Sequence, residues 1–445
     1  MTTPRTYGDV EVMPSEQPVG VHDVSMSVSL GAEIRRRRTA ARLSQQRLAT
    51  RVGVDQGFIS KVESGTKTPS PRLLRAIDEA LDAGGELVAV RREDPDAEQG
   101  AHRDSDNHHQ KELVTMAAHR AREFALSHQA PLTAETIEQV YDDVRSLAVA
   151  YPRQPVSELL GPLAEVQNNL FSLLEQRQKP TQAQELYLLA GVTGGLLSKA
   201  AHDLSVPYAA MTHARTAFVC AEQADHDGLR AWVRGLQSLI AYWAGRPREA
   251  LDYAQGGAAF AARSGGTVAV WLPLSEARAW AAVRNVEETR AAIDRAERAA
   301  DEVSPDALDE IGGLCTFSRA RQTYYAADAL NWLPTEASTA ETYSARAVDA
   351  YSDANCPEWA FGDQAGSHTG LALARIARGD LDGAADAVVP VLGLIPAQRI
   401  TGVVNSVQRL HTAIVRSDLG LDPAARSLQE EMETFTRTSA AALPR

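Results

Sequence analysis

Three observations predict an all-α chain, a small five-helix helix-turn-helix domain joined by a linker to a larger solenoid of helical hairpins. Leu43–Glu63 reads as two short helices around a tight turn. From Lys111 onward the apolar residues keep helical spacing, and no segment alternates convincingly as a strand. In that second part a helix rich in small residues repeatedly ends at Gly or Asn, and another helix starts a few residues later. At 445 residues the chain exceeds one ordinary domain, since a domain usually takes about 100–200 residues.

Residues 1–27 carry Pro4, Pro14 and Pro18 without helical periodicity, so a disordered tail is expected, and Met26 is a second candidate start. The domain 28–90 opens with a helix from Leu30 to about Ala41 that turns Leu30 and Ile34 inward. Its run Arg35–Arg38 winds around the helix at about 100° per residue, so at most two of the four can touch one surface. Ser44 is placed to cap the next helix, Gly53 to turn the chain and Asp55 to cap the one after. That last helix offers Gln56, Ser60 and Lys61 on its polar side and Phe58, Ile59 and Val62 to the core. Ser70-Pro71 then opens a helix with Leu73, Leu74, Ile77 and Leu81 buried, Gly84-Gly85 stops it, and Glu86–Val90 closes the domain.

The stretch 91–109 is polar and without apolar rhythm, a linker whose His102, His108 and His109 read as solvated rather than metal-binding. Residues 110–440 should form the repeat domain. Helices are expected over Lys111–Ser127, Thr133–Ala150, Pro155–Gln178 and Gln182–Ala201, with breaks at Pro131, Pro152 and Pro180. Turns follow at Gly245, Asn285 and Gly379, with Tyr324–Trp332 and Glu341–Ala350 as an intervening pair; a period of about 34–47 residues marks stacked helical hairpins.

The net charge of −13 hides a division. Between Ser27 and Arg92 stand thirteen basic and seven acidic residues, a net of +6, which leaves −19 for the rest. A basic head suits phosphate, and an acidic remainder keeps the rest of the chain off it.

The segment Leu30–Leu81 resembles the Cro/CI or xenobiotic-response-element type of helix-turn-helix regulator. The likeness rests on Ile34, Arg38, Leu43-Ser44-Gln45, Leu48-Ala49, Val52-Gly53-Val54, Ile59-Ser60, Glu63-Ser64-Gly65, Pro69-Ser70 and Leu73-Leu74 in order. It implies that the helix from Asp55 to Ser64 is the recognition helix, with Gln56, Gly57 and Lys61 facing base edges and Gln45 binding phosphate. Thr66, Lys67 and Thr68 would follow the backbone, and Arg38 and Glu63 would form a structural ion pair. The residue chemistry agrees, because Gln can pair with adenine and Lys can donate to guanine. Ser60 joins the base-facing set, and Arg35, Arg37, Arg42 and Arg47 remain phosphate candidates. Two positions depart from the pattern. Arg47 removes the reciprocal capping box expected after Ser44, and Gly57 supplies no side chain.

The second part resembles tetratricopeptide-type repeats around Gly245 and Gly379. Such solenoids present a concave face, for which Trp232, Tyr242, Trp243, Trp271, Tyr324 and Tyr325 are the candidate lining residues, with Trp280 and Trp359 beside them. Packing between hairpins is the plainer reading of each ring. The combination resembles peptide-sensing regulators of Gram-positive bacteria. It implies double-stranded DNA bound as a homodimer at an inverted repeat, and a peptide or small-molecule effector. The rival reading is a scaffold or partner-sequestering protein with incidental DNA binding.

No run of about 18 apolar residues and no signal-peptide pattern occurs, so a cytoplasmic protein without a membrane partner is expected. Cys220, Cys315 and Cys356 lack metal-ligand spacing and read as partly buried helix residues. Neither a catalytic motif nor a cofactor or metal site is recognisable; an enzyme would have to use His202, His213 or His226 as base.

Overall fold

The structure, a computed structural model, describes residues 30–41, 43–52, 54, 56–64, 67, 69, 71–87 and 133–440. The 1–27 tail, Arg42, Gly53, Asp55, Thr66, Thr68, Ser70, the 91–109 linker with its three histidines and the expected helix Lys111–Ser127 lie outside these residues. The chain divides into two compact units, one up to residue 124 and one from 125 onward.

In the first unit α1 (Leu30–Ala40), α2 (Gln45–Val52), α3 (Gln56–Glu63) and α4 (Pro71–Ala80) surround one small core. Ile34, Leu48, Ile59, Leu74, Ile77 and Leu87 fill it with almost no exposure. Ser44 caps α2 as expected, its Oγ accepting the Arg47 N–H at 3.2 Å. Beyond α4 the chain turns through Asp82, Gly84 and Gly85, all at positive φ. The buried Asp78 carboxylate accepts the Gly85 and Leu87 N–H groups at 2.7 and 2.9 Å, which ties the closing segment back to α4. Gly31 lets α1 cross the end of α3, since a Cβ there would stand 2.4 Å from the Val62 carbonyl oxygen.

Among its described residues the second unit is a run of seven helical hairpins. They are α5 (Ala134–Ala150) with α6 (Val156–Leu174), α7 (Pro180–Asp203) with α8 (Pro207–Gln223), and α9 (Asp227–Trp243) with α10 (Pro247–Ser264). Next come α11 (Val268–Ala282) with α12 (Val286–Asp301), then a short α13 (Ala307–Ile311) and a 3-10 turn (Gly313–Cys315). The run ends with α14 (Arg319–Leu330) and α15 (Ala337–Ala350), α16 (Phe361–Ala377) and α17 (Leu381–Leu392), and α18 (Thr401–Arg416) and α19 (Pro423–Arg437). Among the described residues there is no strand. No helix among them is long and apolar enough to cross a membrane.

The repeat lies more in the backbone than in the side chains. Gly245 and Gly379 take the left-handed conformation expected of them, at φ 71° and 81°. At the third turn the expectation is corrected: Arg284 adopts it, at φ 62°, while Asn285 caps α12 by accepting the Glu288 N–H at 3.1 Å. Ser205 and Asp225 occupy the same place in two further turns. After each left-handed residue the next N–H reaches back five residues, as in Val206 to Ala201, His226 to Ala221 and Asn285 to Trp280. This closure satisfies carbonyls that the helix end would leave bare, and it outweighs the local cost of a non-glycine residue there. Ser198 and Ser238 mark the same period, each donating across its hairpin to the Ala210 and Ala250 carbonyls at 2.8 Å.

The first helices of successive hairpins line the inside, and they pack closely because glycines receive the neighbouring rings. A Cβ on Gly195 would stand 2.0 Å from Trp232, and one on Gly235 would stand 2.7 Å from Trp271. The solenoid then closes on itself across its concave face. Thr401 at the start of α18 donates to the Asp203 carbonyl at 3.0 Å and shares a hydrogen bond with Ser205 at 2.7 Å, and the Phe361 N–H donates to the Pro152 carbonyl at 3.1 Å.

Candidate functional site

Within the first unit the outward face of α3 carries Gln56, Gly57 and Lys61 exposed and Ser60 half-buried. It is held from behind by a buried carboxylate. Glu63 accepts from Arg38 Nε at 2.5 Å and Nη2 at 3.0 Å, while Arg38 Nη1 donates to the Leu43 carbonyl at 2.7 Å. The expected ion pair is therefore scaffold, linking α1, the start of α2 and the end of α3. Burial pushes the Glu63 carboxyl up, but the Arg38 and Gln45 hydrogen bonds outweigh it and hold the group below its ordinary value.

From Glu63 a chain of amides runs outward. Gln45 Nε2 donates to Glu63 at 2.9 Å, which orients its Oε1 to accept Gln56 Nε2 at 2.9 Å. Each Nε2 carries a second hydrogen, so Gln45 keeps a donor for phosphate, and Gln56 keeps a donor and its Oε1 for a base edge. Sequence reasoning named both glutamines without seeing that one orients the other.

The arginine run resolves into different roles. Arg36 and Arg37 clamp Glu33 at 2.6 and 2.7 Å, and Arg37 also reaches Glu86. Hydrogen bonds from the two arginines hold Glu33 down to about 2. Arg37 is thus engaged inside the unit, whereas Arg35 and Arg47 stand exposed. Lys67 is exposed with its ammonium 4.9 Å from the Phe58 ring centre. Arg42, Thr66 and Thr68 lie outside the described residues.

The second unit holds a partly open cavity of about 100 Å³, lined by the first helices of six successive hairpins. Trp232, Trp243, Trp271, Tyr324 and Tyr325 line it, as do Phe317 and Phe361. Tyr242 is not among the lining residues. It stands behind the wall, where its hydroxyl donates to Asp328 at 3.1 Å and accepts from Trp332 Nε1 at 2.7 Å. Trp280 and Trp359 do not line the cavity either.

Sequence reasoning missed the charges among these rings. Lys199 donates to both Asp203 oxygens at 2.6 Å, and the Tyr151 hydroxyl donates to the same carboxylate at 2.8 Å. Arg321 Nε donates to Asp363 at 2.7 Å. Arg278 Nε and Arg409 Nη1 share Asp328, at 2.7 and 3.0 Å. Lys199 and Asp203 are one helical turn apart, but the other partners lie tens of residues apart, and the helical period alone gives no signal that pairs those.

Burial drives His202 down to about 4, His213 is lowered by partial burial, and His226 caps α9 by accepting the Leu229 N–H at 3.0 Å. Of the cysteines only Cys220 lies in an α-helix, contrary to expectation; burial pushes its thiol up to about 11. Cys315 sits buried in the 3-10 turn and Cys356 in an irregular turn.

Fold and geometry together define an all-α chain with a helix-turn-helix head and a helical repeat body. Residues 29–90 match the family described as a helix-turn-helix domain. Among solved structures the chain is similar to Bacillus thuringiensis PlcR, crystallised in complex with the peptide PapR7 and DNA. The identity is 16%, 61% of this chain and 94% of that one are covered, and the TM-score is 0.30. It is also similar to a Rap protein complexed with competence and sporulation factor, at 10% identity, 68% and 98% coverage and a TM-score of 0.39. No curated protein sequence matches this chain.

Proposed function

We propose that the chain is a sequence-specific DNA-binding transcription regulator of the cytoplasm, acting as a homodimer on an inverted repeat. The observation that carries this reading is the outward face of α3, where Gln56, Gly57 and Lys61 stand exposed above a buried Arg38–Glu63 anchor. An oriented amide and an ammonium on one short helix suit base edges, and exposed Arg35, Arg47 and Lys67 suit phosphate. Thr66, Thr68 and Arg42 belong to the same proposed contact set. With Gly57 contributing no side chain, one head makes few contacts, and two heads on half-sites about one helical turn apart supply the affinity.

The body is the effector-binding and dimerising part in this reading. An effector changes operator occupancy only if it binds one arrangement of the two heads better than another. The rings of Trp232, Trp243, Trp271, Tyr324 and Tyr325 around one cavity support a ligand there.

The test is a footprint of the full chain on its selected operator. A Gln56→Ala/Lys61→Ala double variant is expected to lose selectivity, and affinity is expected to fall steeply with salt. Full selectivity in the variant would refute the contact set, and salt-independent binding would refute the phosphate contacts. Chromatin immunoprecipitation without discrete sites would favour the scaffold reading instead.

A further inference from the structure

We propose that the cavity of the repeat unit binds a compact carboxylic acid with an aromatic or apolar body, whose carboxylate meets the guanidinium of Arg278. The proposal deepens the reading of the body as a sensor and rests on it only for the acid's role as effector.

The buried charges do not balance. Around the cavity Lys199 is paired with Asp203 and Arg321 with Asp363, but Arg278 and Arg409 share the single carboxylate of Asp328. Of these groups only Lys199, Arg278, Arg321, Asp203 and Asp363 line the cavity, three cations against two anions, while Asp328 and Arg409 are not among the lining residues. His202 adds none, since burial keeps it neutral at pH 7.

The shared carboxylate already serves three donors. It accepts from Arg278 Nε, Arg409 Nη1 and the Tyr242 hydroxyl, and each arginine retains a buried Nη2 without a hydrogen-bond partner. Arg278 is 3% exposed and lines the cavity. Its guanidinium lies 4.2 Å from the Tyr242 ring centre, 4.4 Å from that of Tyr325 and 5.3 Å from that of Trp243, three rings that supply no anion. A buried charge lacking a full partner is costly, and a ligand carboxylate is the group that would relieve it. Arg278 Nη2 is buried, so entry of the ligand requires the wall rings of Tyr325 and Trp243 against the guanidinium to shift.

The remaining wall fixes the body of the ligand. Trp232, Trp271 and Phe317 offer apolar faces, and closure of the solenoid at Thr401 limits the length that fits. A carboxylate can come from a free aryl acid or from the C-terminus of a short peptide, and amides separate the chemistry from the source.

The test is calorimetric titration of the full chain with 3-phenylpropionate and indole-3-acetate, each against its primary amide, and with a tetrapeptide ending in Phe against its C-terminal amide. The acids are expected to bind about tenfold or more tightly than their amides. Arg278→Met is expected to bring acid affinity down to that of the amide, with folding checked by thermal melting. The comparison of acid with amide needs no variant, so it holds even if Arg278→Met unfolds. Binding by the free peptide alone keeps the carboxylate and assigns its source. Equal binding of acid and amide, no binding of any acid at about 10 mM, or full acid binding by a folded Arg278→Met chain overturns the proposal. A footprint with and without acid is scored separately: an acid that binds without changing it leaves the site standing and refutes the sensing reading.

Discussion

Replacing Arg38 by Met strips Glu63 of two hydrogen bonds, at 2.5 and 3.0 Å, while the Glu63 side chain stays 2% exposed. Removing one partner of a buried pair costs about 3–5 kcal/mol. Gln45 still donates at 2.9 Å, which sets the expectation at the lower end, about 3 kcal/mol. Protonation offers no cheaper escape. A carboxyl with an ordinary value near 4.3 costs about 3.7 kcal/mol to protonate at pH 7. A domain of about 60 residues is stable by roughly 3–9 kcal/mol, so the head loses a large share of its stability. The assay is amide hydrogen exchange of the full chain, read on peptides within residues 30–87, where 3 kcal/mol appears as exchange roughly 150-fold faster. Arg38→Met/Glu63→Leu, which replaces the pair by apolar groups, should recover most of the loss. A single change costing under about 1 kcal/mol, or a double variant as unstable as the single, would refute the scaffold role of the pair.

The other predictions concern the body. Gly195→Ala places a methyl 2.0 Å from the buried Trp232 ring, which must shift, so it should cost about 1–3 kcal/mol in urea unfolding. An unchanged midpoint would mean that the ring is not seated on that glycine. His202 titrates at about 4 in the folded chain because it is buried, against about 6.5 when unfolded. Below about 6.5 the unfolded chain takes up a proton that the folded chain refuses. The stabilisation is therefore complete above about pH 6.5 and lost as pH falls to about 4, by about 3 kcal/mol. Unfolding measured at pH 7 and 4.5 should show this loss, and His202→Gln should reduce it; an identical pH dependence in the variant would contradict the assignment.

Much of the head was legible because its determinants are local. The Ser44 cap, the apolar spacing of Ile34, Leu48, Ile59 and Leu74, and the Arg38…Glu63 resemblance all survive in the structure. What the spacing could not show is that Arg37 turns to Glu33 and Glu86, since the choice of partner depends on how the closing segment folds back. In the body the alanine-rich helices and the turns at Gly245 and Gly379 were readable, but Ser205, Asp225 and Arg284 carry no glycine to betray the same backbone turn.

The sequence by itself determined the helical class, the division into basic head and acidic body and the helix meant to face outward, because period, caps and charge act over a few residues. Tertiary structure alone decided that the solenoid closes at Thr401, that Tyr242 stands behind the cavity wall and that Arg278 shares Asp328 with Arg409. Those contacts join helices up to about two hundred residues apart, and they are set by how each hairpin tilts on the last, a small rotation that accumulates along the repeat.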